Sequence, residues 1–167
     1  RRIERPDIKS KDFSLRAIAE KFLSRARLEF GADINGRTGL EAHDVQINFN
    51  LAGGEISRTD NLSTESARRI DTGLFVQADV SLAARLRATG GARVDFVSSK
   101  NTGGYFGDTS ISHQAMSGFG AITLGPFEGL SFTAQISRGF RDPTLSDRFY
   151  RGPSGRGFIT GNPDLAP

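Results

Sequence analysis

"DTGLFVQADVSLAARLRATGGARVDF", residues 71–96, carries the pattern on which the fold turns. Leu74, Val76, Ala78, Val80 and Leu82 share one parity; Phe75, Gln77, Asp79 and Ser81 hold the other. After a very short junction near Ala84–Arg85 the alternation resumes, with Leu86, Ala88, Ala92, Val94 and Phe96 against Arg87, Thr89, Arg93 and Asp95. A period of two sends successive side chains to opposite faces of a strand. The stretch therefore predicts an antiparallel hairpin with one apolar face and one charged face.

The same pattern extends to both sides. In "SRARLEFGADIN" (24–35), Ala26, Leu28, Phe30, Ala32 and Ile34 oppose Arg25, Arg27, Glu29, Gly31, Asp33 and Asn35. Near the end Leu130, Phe132, Ala134 and Ile136 oppose Ser131, Thr133, Gln135 and Ser137. Residues 117–125 form a weaker strand, because Phe119 and Ala121 sit on its polar parity. "DFSLRAIAE" (12–20) reads equally as a first strand or a short helix.

The connectors alternate in length. "EKFLS" (20–24) is tight, residues 36–68 are long and polar, and the junction at 84–85 is minimal. Residues 98–113 are long and Gly-rich, "GPFEG" (125–129) is short, and an Arg/Gly-rich tail follows. This is the turn-and-loop rhythm of a membrane barrel meander. The predicted strands at 24–35, 73–83 and 86–97 suit a tilted membrane crossing of about 9–11 residues better than a soluble strand of about 5–6. A soluble antiparallel sheet with one wet face gives the same alternation; strand length and loop rhythm favour the membrane. The expected fold class is all-β: an antiparallel meander of about six strands, with long extracellular loops and short periplasmic turns, forming part of a large transmembrane β-barrel. Six strands cannot close around a charged lumen of useful size.

Composition agrees. The chain has 167 residues, 37% hydrophobic, with 20 Gly, no Trp and no Cys. That apolar content is thin for a self-sufficient soluble domain, and a disulfide framework or thiolate metal site is excluded. Lys9, Lys11, Lys21 and Lys100 are the only lysines among 22 basic residues, and the net charge is +3. Arginine suits bidentate contact with carboxylates and oxyanions, though a GC-rich genome gives the same bias. The basic residues are spread and mixed with acids, unlike the clustered face of a nucleic-acid binder. No secretory apolar segment opens the chain, and no apolar run approaches the roughly 18 residues of a membrane helix.

The closing stretch resembles the paired boxes of TonB-dependent outer-membrane receptors. One box is Gly139-Phe140-Arg141-Asp142-Pro143 and the other Asn162-Pro163-Asp164-Leu165. Residues 71–96 are similar to that family's midbarrel hairpin, and "LEFGADINGR" (28–37) to an earlier strand top. The resemblance implies a roughly 22-stranded plugged barrel, here as a partial domain over 1–167 without plug or C-terminal strands. It implies uptake of a scarce ligand, a ferric siderophore or similar chelate, powered through the TonB complex. The implied partners are outer-membrane lipid, the receptor's own plug and a small anionic or metal-chelate ligand; no nucleic acid, enzyme activity or cofactor is expected. A plugless porin and a soluble all-β binding module are the rival readings.

Locally, Asp142 is expected to cap a short helix over "DPTLSDRF" with Pro143 at its first position. Thr144 and Asp147 also have capping-box spacing, and Asn162-Pro163-Asp164 is turn chemistry. Arg141, Asp142, Arg148, Tyr150, Arg151 and Arg156 are candidate ligand-binding loop residues, since an anionic chelate calls for guanidinium groups. Tyr105 and Phe106 are candidates for stacking on a ligand, or members of an aromatic girdle. Arg25, Arg27, Arg87 and Arg93 are candidate contacts to plug or passing ligand, with Asp79 and Asp95 hydrated or bridged to Arg87 and Arg93. The two histidines, His43 and His113, are isolated and predict no metal site. No histidine lies between the boxes, which counts against haem.

Overall fold

The computed structural model describes residues 1–154 and 157–166. Six long strands form one curled antiparallel sheet in sequence order. They are β1 (Arg2–Phe22), β2 (Ala26–Phe49), β3 (Glu55–Ala83), β4 (Leu86–Gly104), β5 (Asp108–Phe127) and β6 (Leu130–Arg138). A short helix α1 (Leu145–Phe149) and a small hairpin of β7 (Arg151–Ser154) and β8 (Gly157–Thr160) follow.

Register confirms the two faces. The rows Ala17–Ala32–Leu74–Val94–Met116 and Val80–Ala88–Ile122–Ala134 run across neighbouring strands on one side. These side chains are left uncovered: Leu15 is 68% exposed and Ile136 80%. The other side carries the charged parity, and α1 packs on that polar face. In β4 the apolar-face positions run from Leu86 to Phe96. Eleven residues at about 3.3 Å each, tilted by about 45°, give a belt roughly 25 Å tall, the height of a bilayer's hydrocarbon band.

β1 resolves the strand-or-helix ambiguity at 12–20 in favour of a strand. Ile18 and Phe22 stand on its polar face, opposite Gly31 and Arg27, which blurs the alternation in sequence. Phe119 likewise lies on the polar face, its ring against Gly91.

The expected long loops require correction. Residues 36–68 comprise the far half of β2, a turn at 50–54 and the near half of β3. Asn50 makes that turn: its carbonyl accepts from Gly53 N, and its Oδ1 accepts from Gly54 N at 2.8 Å. Residues 98–113 similarly form the paired ends of β4 and β5 around a turn at 105–107. Strand 24–35 thus reaches 49, strand 73–83 begins at 55, and strand 86–97 reaches 104. Both faces are polar or mixed in these extensions, so no clean alternation marks them; backbone pairing holds them as hairpins. The other end has the expected short turns at 23–25, 84–85 and 128–129. Two register shifts, near Leu40 and Ala67, fit the positive φ of Gly39 (60°) and Ser66 (47°) and mark bulges where the extension leaves the belt.

Candidate functional site

Three arginine arrangements line the polar face. Arg93 sits two residues before Asp95 on β4, and its Nε donates to both Asp95 oxygens at 2.8 and 3.0 Å. Its two terminal nitrogens reach across β3 to Asp33 of β2, each at 2.7 Å. The guanidinium crosses over Gly73, which pairs with both Asp33 and Asp95; a Cβ there would overlap it. Phe75 lies beside it, with Arg16 4.7 Å above the ring. Further toward the short turns, Arg87 meets Asp79 at 3.3 Å, and Arg27 meets Glu20 at 2.5 Å and Glu29 at 3.4 Å. The expected Asp79–Arg87 and Asp95–Arg93 bridges are therefore formed. Arg25 stands in the turn between β1 and β2, not on the wall.

The third arrangement repeats the first one higher up. Arg69 and Asp71 have the same Arg-x-Asp spacing on β3, with the same 2.8 and 3.0 Å bonds from Nε. Here the free end of the guanidinium holds the closing segment. Arg69 Nη1 donates to the Pro143 carbonyl at 2.6 Å and lies 3.2 Å from Asp142 Oδ2, without hydrogen-bond geometry. Asp142 Oδ1 accepts from Arg148 at 3.2 Å, and both side chains are 1% exposed. Arg148 also donates to the Pro163 carbonyl at 2.9 Å. Asp142 thus joins the wall to α1, and Arg148 joins α1 to the second box.

Asp142 is not the helix cap that its Asp-Pro position suggests. Thr144 is the cap: its Oγ1 accepts from Asp147 N, and Asp147 Oδ2 accepts from Thr144 N at 2.9 Å. This capping box holds the Asp147 carboxyl below the usual carboxylate range, chiefly through the Thr144 backbone N–H. Leu145 and Phe149 of α1 are buried against Leu40 and Ala67, with Phe106 and Ile111 packed beside them. Further anchors are Thr64 Oγ1 to the Phe149 carbonyl (2.8 Å) and Arg151 N to Ser63 Oγ (2.7 Å).

The docked segment leaves a recess of about 610 Å³ against β1–β3, whose charged lining is Arg37, Arg69 and Arg141 together with Asp12, Asp71 and Asp142. Arg37 is held by Asp12 through bonds of 2.8 and 2.6 Å. The Arg141 side chain is 83% exposed, and its nearest carboxylate is Asp147 at 3.6 Å. Of the loop residues singled out in sequence, Arg141 alone faces this recess as an open cation. Asp142 and Arg148 are enclosed in the clamp, and the Tyr150 hydroxyl donates to the Pro153 carbonyl. Arg151 lies 3.8 Å over the Tyr105 ring. Arg156 lies outside the described residues. Tyr105 and Phe106 occupy the β4–β5 turn beyond the belt, so neither marks a girdle at its edge; Phe106 belongs to the small core under α1. Arg37 and Arg69 were missed because their stretch read as loop; the repeated Arg-x-Asp spacing was the available signal for Arg69. Among the described residues, no group of three or more His, Asp or Glu side chains is placed to hold a metal ion.

A family described as "TonB dependent receptor-like, beta-barrel" matches residues 8–167. Among solved structures, the chain is similar to "Copper transporter OprC", with a TM-score of 0.72 and 19% sequence identity. That match covers 96% of this chain and 26% of the other, so the chain spans about a quarter of its structural neighbour. No curated protein matches the chain.

Proposed function

The chain belongs to the TonB-dependent receptor-like β-barrel family, and on that premise we propose that it is the wall and ligand-capturing mouth of an outer-membrane receptor for a small anionic metal chelate, a ferric siderophore being the reference case. The long hairpins and the docked closing segment face the cell exterior, and the short turns face the periplasm. Capture at the mouth is followed by rearrangement of a plug in the lumen, driven through the TonB complex. The wall arginines Arg27, Arg87 and Arg93, held by their own carboxylates, form a polar lining for that plug, with Arg25 at the periplasmic rim.

One observation carries the reading: a continuous apolar belt on one face is backed, on the other, by an arginine-lined recess under a docked segment. Lipid demands the first, and an oxyanion-bearing cargo calls for the second. The structural neighbour is a copper transporter, and copper is a cargo to test. This segment offers guanidinium groups rather than a ligand set, which supports a chelate over a bare ion. The test is uptake of radiolabelled ferric and cupric chelates by cells expressing the full-length receptor, with and without a functional TonB complex. TonB-dependent accumulation of a chelate is expected. Passive, TonB-independent flux of small solutes would replace the receptor with a porin.

A further inference from the structure

The four lysines share one kind of position. Register puts Lys9, Lys11, Lys21 and Lys100 all on the apolar face. The polar face uses arginine alone. On β1, Lys11 and Lys21 bracket Phe13, Leu15, Ala17 and Ala19. At the long-hairpin rim, Arg68 is the first apolar-face position past Ile70 on β3 and Lys100 the second past Phe96 on β4; Arg138, the first past Ile136 on β6, pairs with Gly118, eight residues along β5 from the Ser110 that pairs with Lys100.

The two faces differ in how their cations are balanced. On the polar face Arg27, Arg37, Arg69, Arg87 and Arg93 each have a carboxylate oxygen within 3.3 Å. On the apolar face Lys9 meets Asp7 at 3.6 Å, but no ion pair among the described residues involves Lys11, Arg68 or Arg138, and Lys100 has only the exposed Asp108 at 3.9 Å. Arg68 and Lys100 are direct cross-strand partners, an arrangement that destabilises a sheet unless an anion lies between. Their neighbours in register are hydroxyls: Ser110 pairs with Lys100, and Thr38 with Lys11.

We propose that Lys11, Arg68 and Lys100 form a collar that binds the phosphate of an anionic lipid headgroup in the leaflet at the long-hairpin rim. This rests on the membrane-barrel reading. Lysine stems lie along apolar surface and lift their ammonium groups to the interface. The hydroxyls and the guanidinium of Arg68 supply directional donors to phosphate oxygens. The missing countercharge is supplied by lipid, where the polar face supplies its own.

The test uses the purified full-length receptor in neutral detergent, titrated with diphosphorylated lipid A and with its dephosphorylated form. A compact, heat-modifiable band first establishes the barrel; its absence would sink the barrel reading rather than the collar. The K11Q/R68Q/K100Q variant is expected to bind diphosphorylated lipid A roughly 100-fold more weakly, at about fivefold per charge near a membrane surface. Equal binding by variant and wild type, or equal binding of the dephosphorylated lipid, overturns the collar. Competition by millimolar inorganic phosphate would assign an inorganic-anion site instead, also overturning it. If the triple variant does not fold, Arg68→Gln alone decides. It should raise the melting temperature in neutral detergent by relieving the Arg68–Lys100 repulsion, yet lose most of the stabilisation that lipid A gives wild type. A lower melting temperature without lipid and an unchanged lipid effect would refute the proposal.

Discussion

Substituting Asn for Asp142 tests whether the clamp fastens the closing segment to the wall. The carboxylate sits between Arg69 of β3 and Arg148 of α1, 3.2 Å from each, and is 1% exposed. Leu145 and Phe149 favour docking by roughly 3–6 kcal/mol between them, offset by the entropy of ordering the segment. Asp142→Asn keeps the shape and removes the charge. It leaves Arg148 buried beside a second guanidinium, with the Pro163 carbonyl as its remaining partner. Breaking a buried ion pair by removing one member costs about 3–5 kcal/mol, enough to shift undocking by roughly 10²–10³-fold. Hydrogen exchange reads this directly. The Arg151 amide bonds to Ser63 of the wall, and the Gly161 and Asn162 amides bond to Tyr150 and Asp147. Exchange in peptides spanning 150–163 should accelerate by about two orders of magnitude, while the belt of β3 and β4 stays protected. The paired change Asp142→Leu with Arg148→Met should recover most of the protection, because an apolar pair carries no stranded charge. Exchange within threefold of wild type in Asp142→Asn would refute the clamp.

Other outcomes follow from the same geometry. Gly73→Ala should displace Arg93 from Asp33, costing about 1–3 kcal/mol for charged hydrogen bonds in a largely buried site, seen as a lower urea midpoint in lipid vesicles. The capping box makes α1 acid-sensitive. Because Asp147 titrates below its unfolded value, its contribution is complete above the unfolded pKa of about 4 and is lost as pH falls through the lower folded value. Protection of α1, exchange taken relative to its intrinsic rate at each pH, should therefore be flat from neutral pH to about 5 and fall only below about 4, with Asp147→Asn abolishing that dependence. Arg141→Gln should leave docking intact, since an exposed pair is worth about 0–1 kcal/mol, yet weaken chelate binding about tenfold in an equilibrium uptake assay.

The belt was legible because lipid enforces strict alternation: Leu74–Leu82 and Leu86–Phe96 have no freedom to mix faces. The extensions were not, because residues such as Asp44, Gln46 and Asn48 meet water or protein on either side and need only backbone partners. Asn50 and Gly53 were visible as turn residues, but a turn in a polar stretch reads as loop without the pairing that surrounds it. In the site, the arginine-rich tail was legible as a cluster but not in its division of labour. Arg141, Arg148 and Arg151 have the same chemistry in sequence. Only the fold sends Arg148 inward to Asp142, sets Arg151 over Tyr105 and leaves Arg141 open. Asp142 was legible as a helix-start residue, but Thr144 won that position because Asp147 answers it from three residues ahead, which freed Asp142 for the wall.

The sorting of cations also bears on how the sheet sits in its surroundings. β1 and β6 are the sheet's edges, so one side of each has backbone groups without partners among the described strands. Water tolerates such edges, but hydrocarbon does not. The belt residues of both strands, Leu15 and Ile136 among them, place these edges at the depth of lipid. On the membrane reading both edges therefore call for strand partners, as closure into a barrel would provide. Arginines on the polar face, Arg16 over the Phe75 ring excepted, are matched by carboxylates from this chain because a lumen has a fixed protein wall on which to build them. On the apolar face Lys9 meets Asp7 at 3.6 Å and Lys100 reaches only the exposed Asp108 at 3.9 Å, while no ion pair among the described residues involves Lys11; the collar gives Lys11 and Lys100 partners in the membrane. Where a guanidinium can be pinned by a neighbour two residues away the chain uses arginine, and where the counterion belongs to a fluid it mostly uses a compact point charge on a flexible stem. Arg68 and Arg138 are the exceptions, and Arg68 is the instructive one, set opposite Lys100, where a planar donor array can share one phosphate with a flexible ammonium.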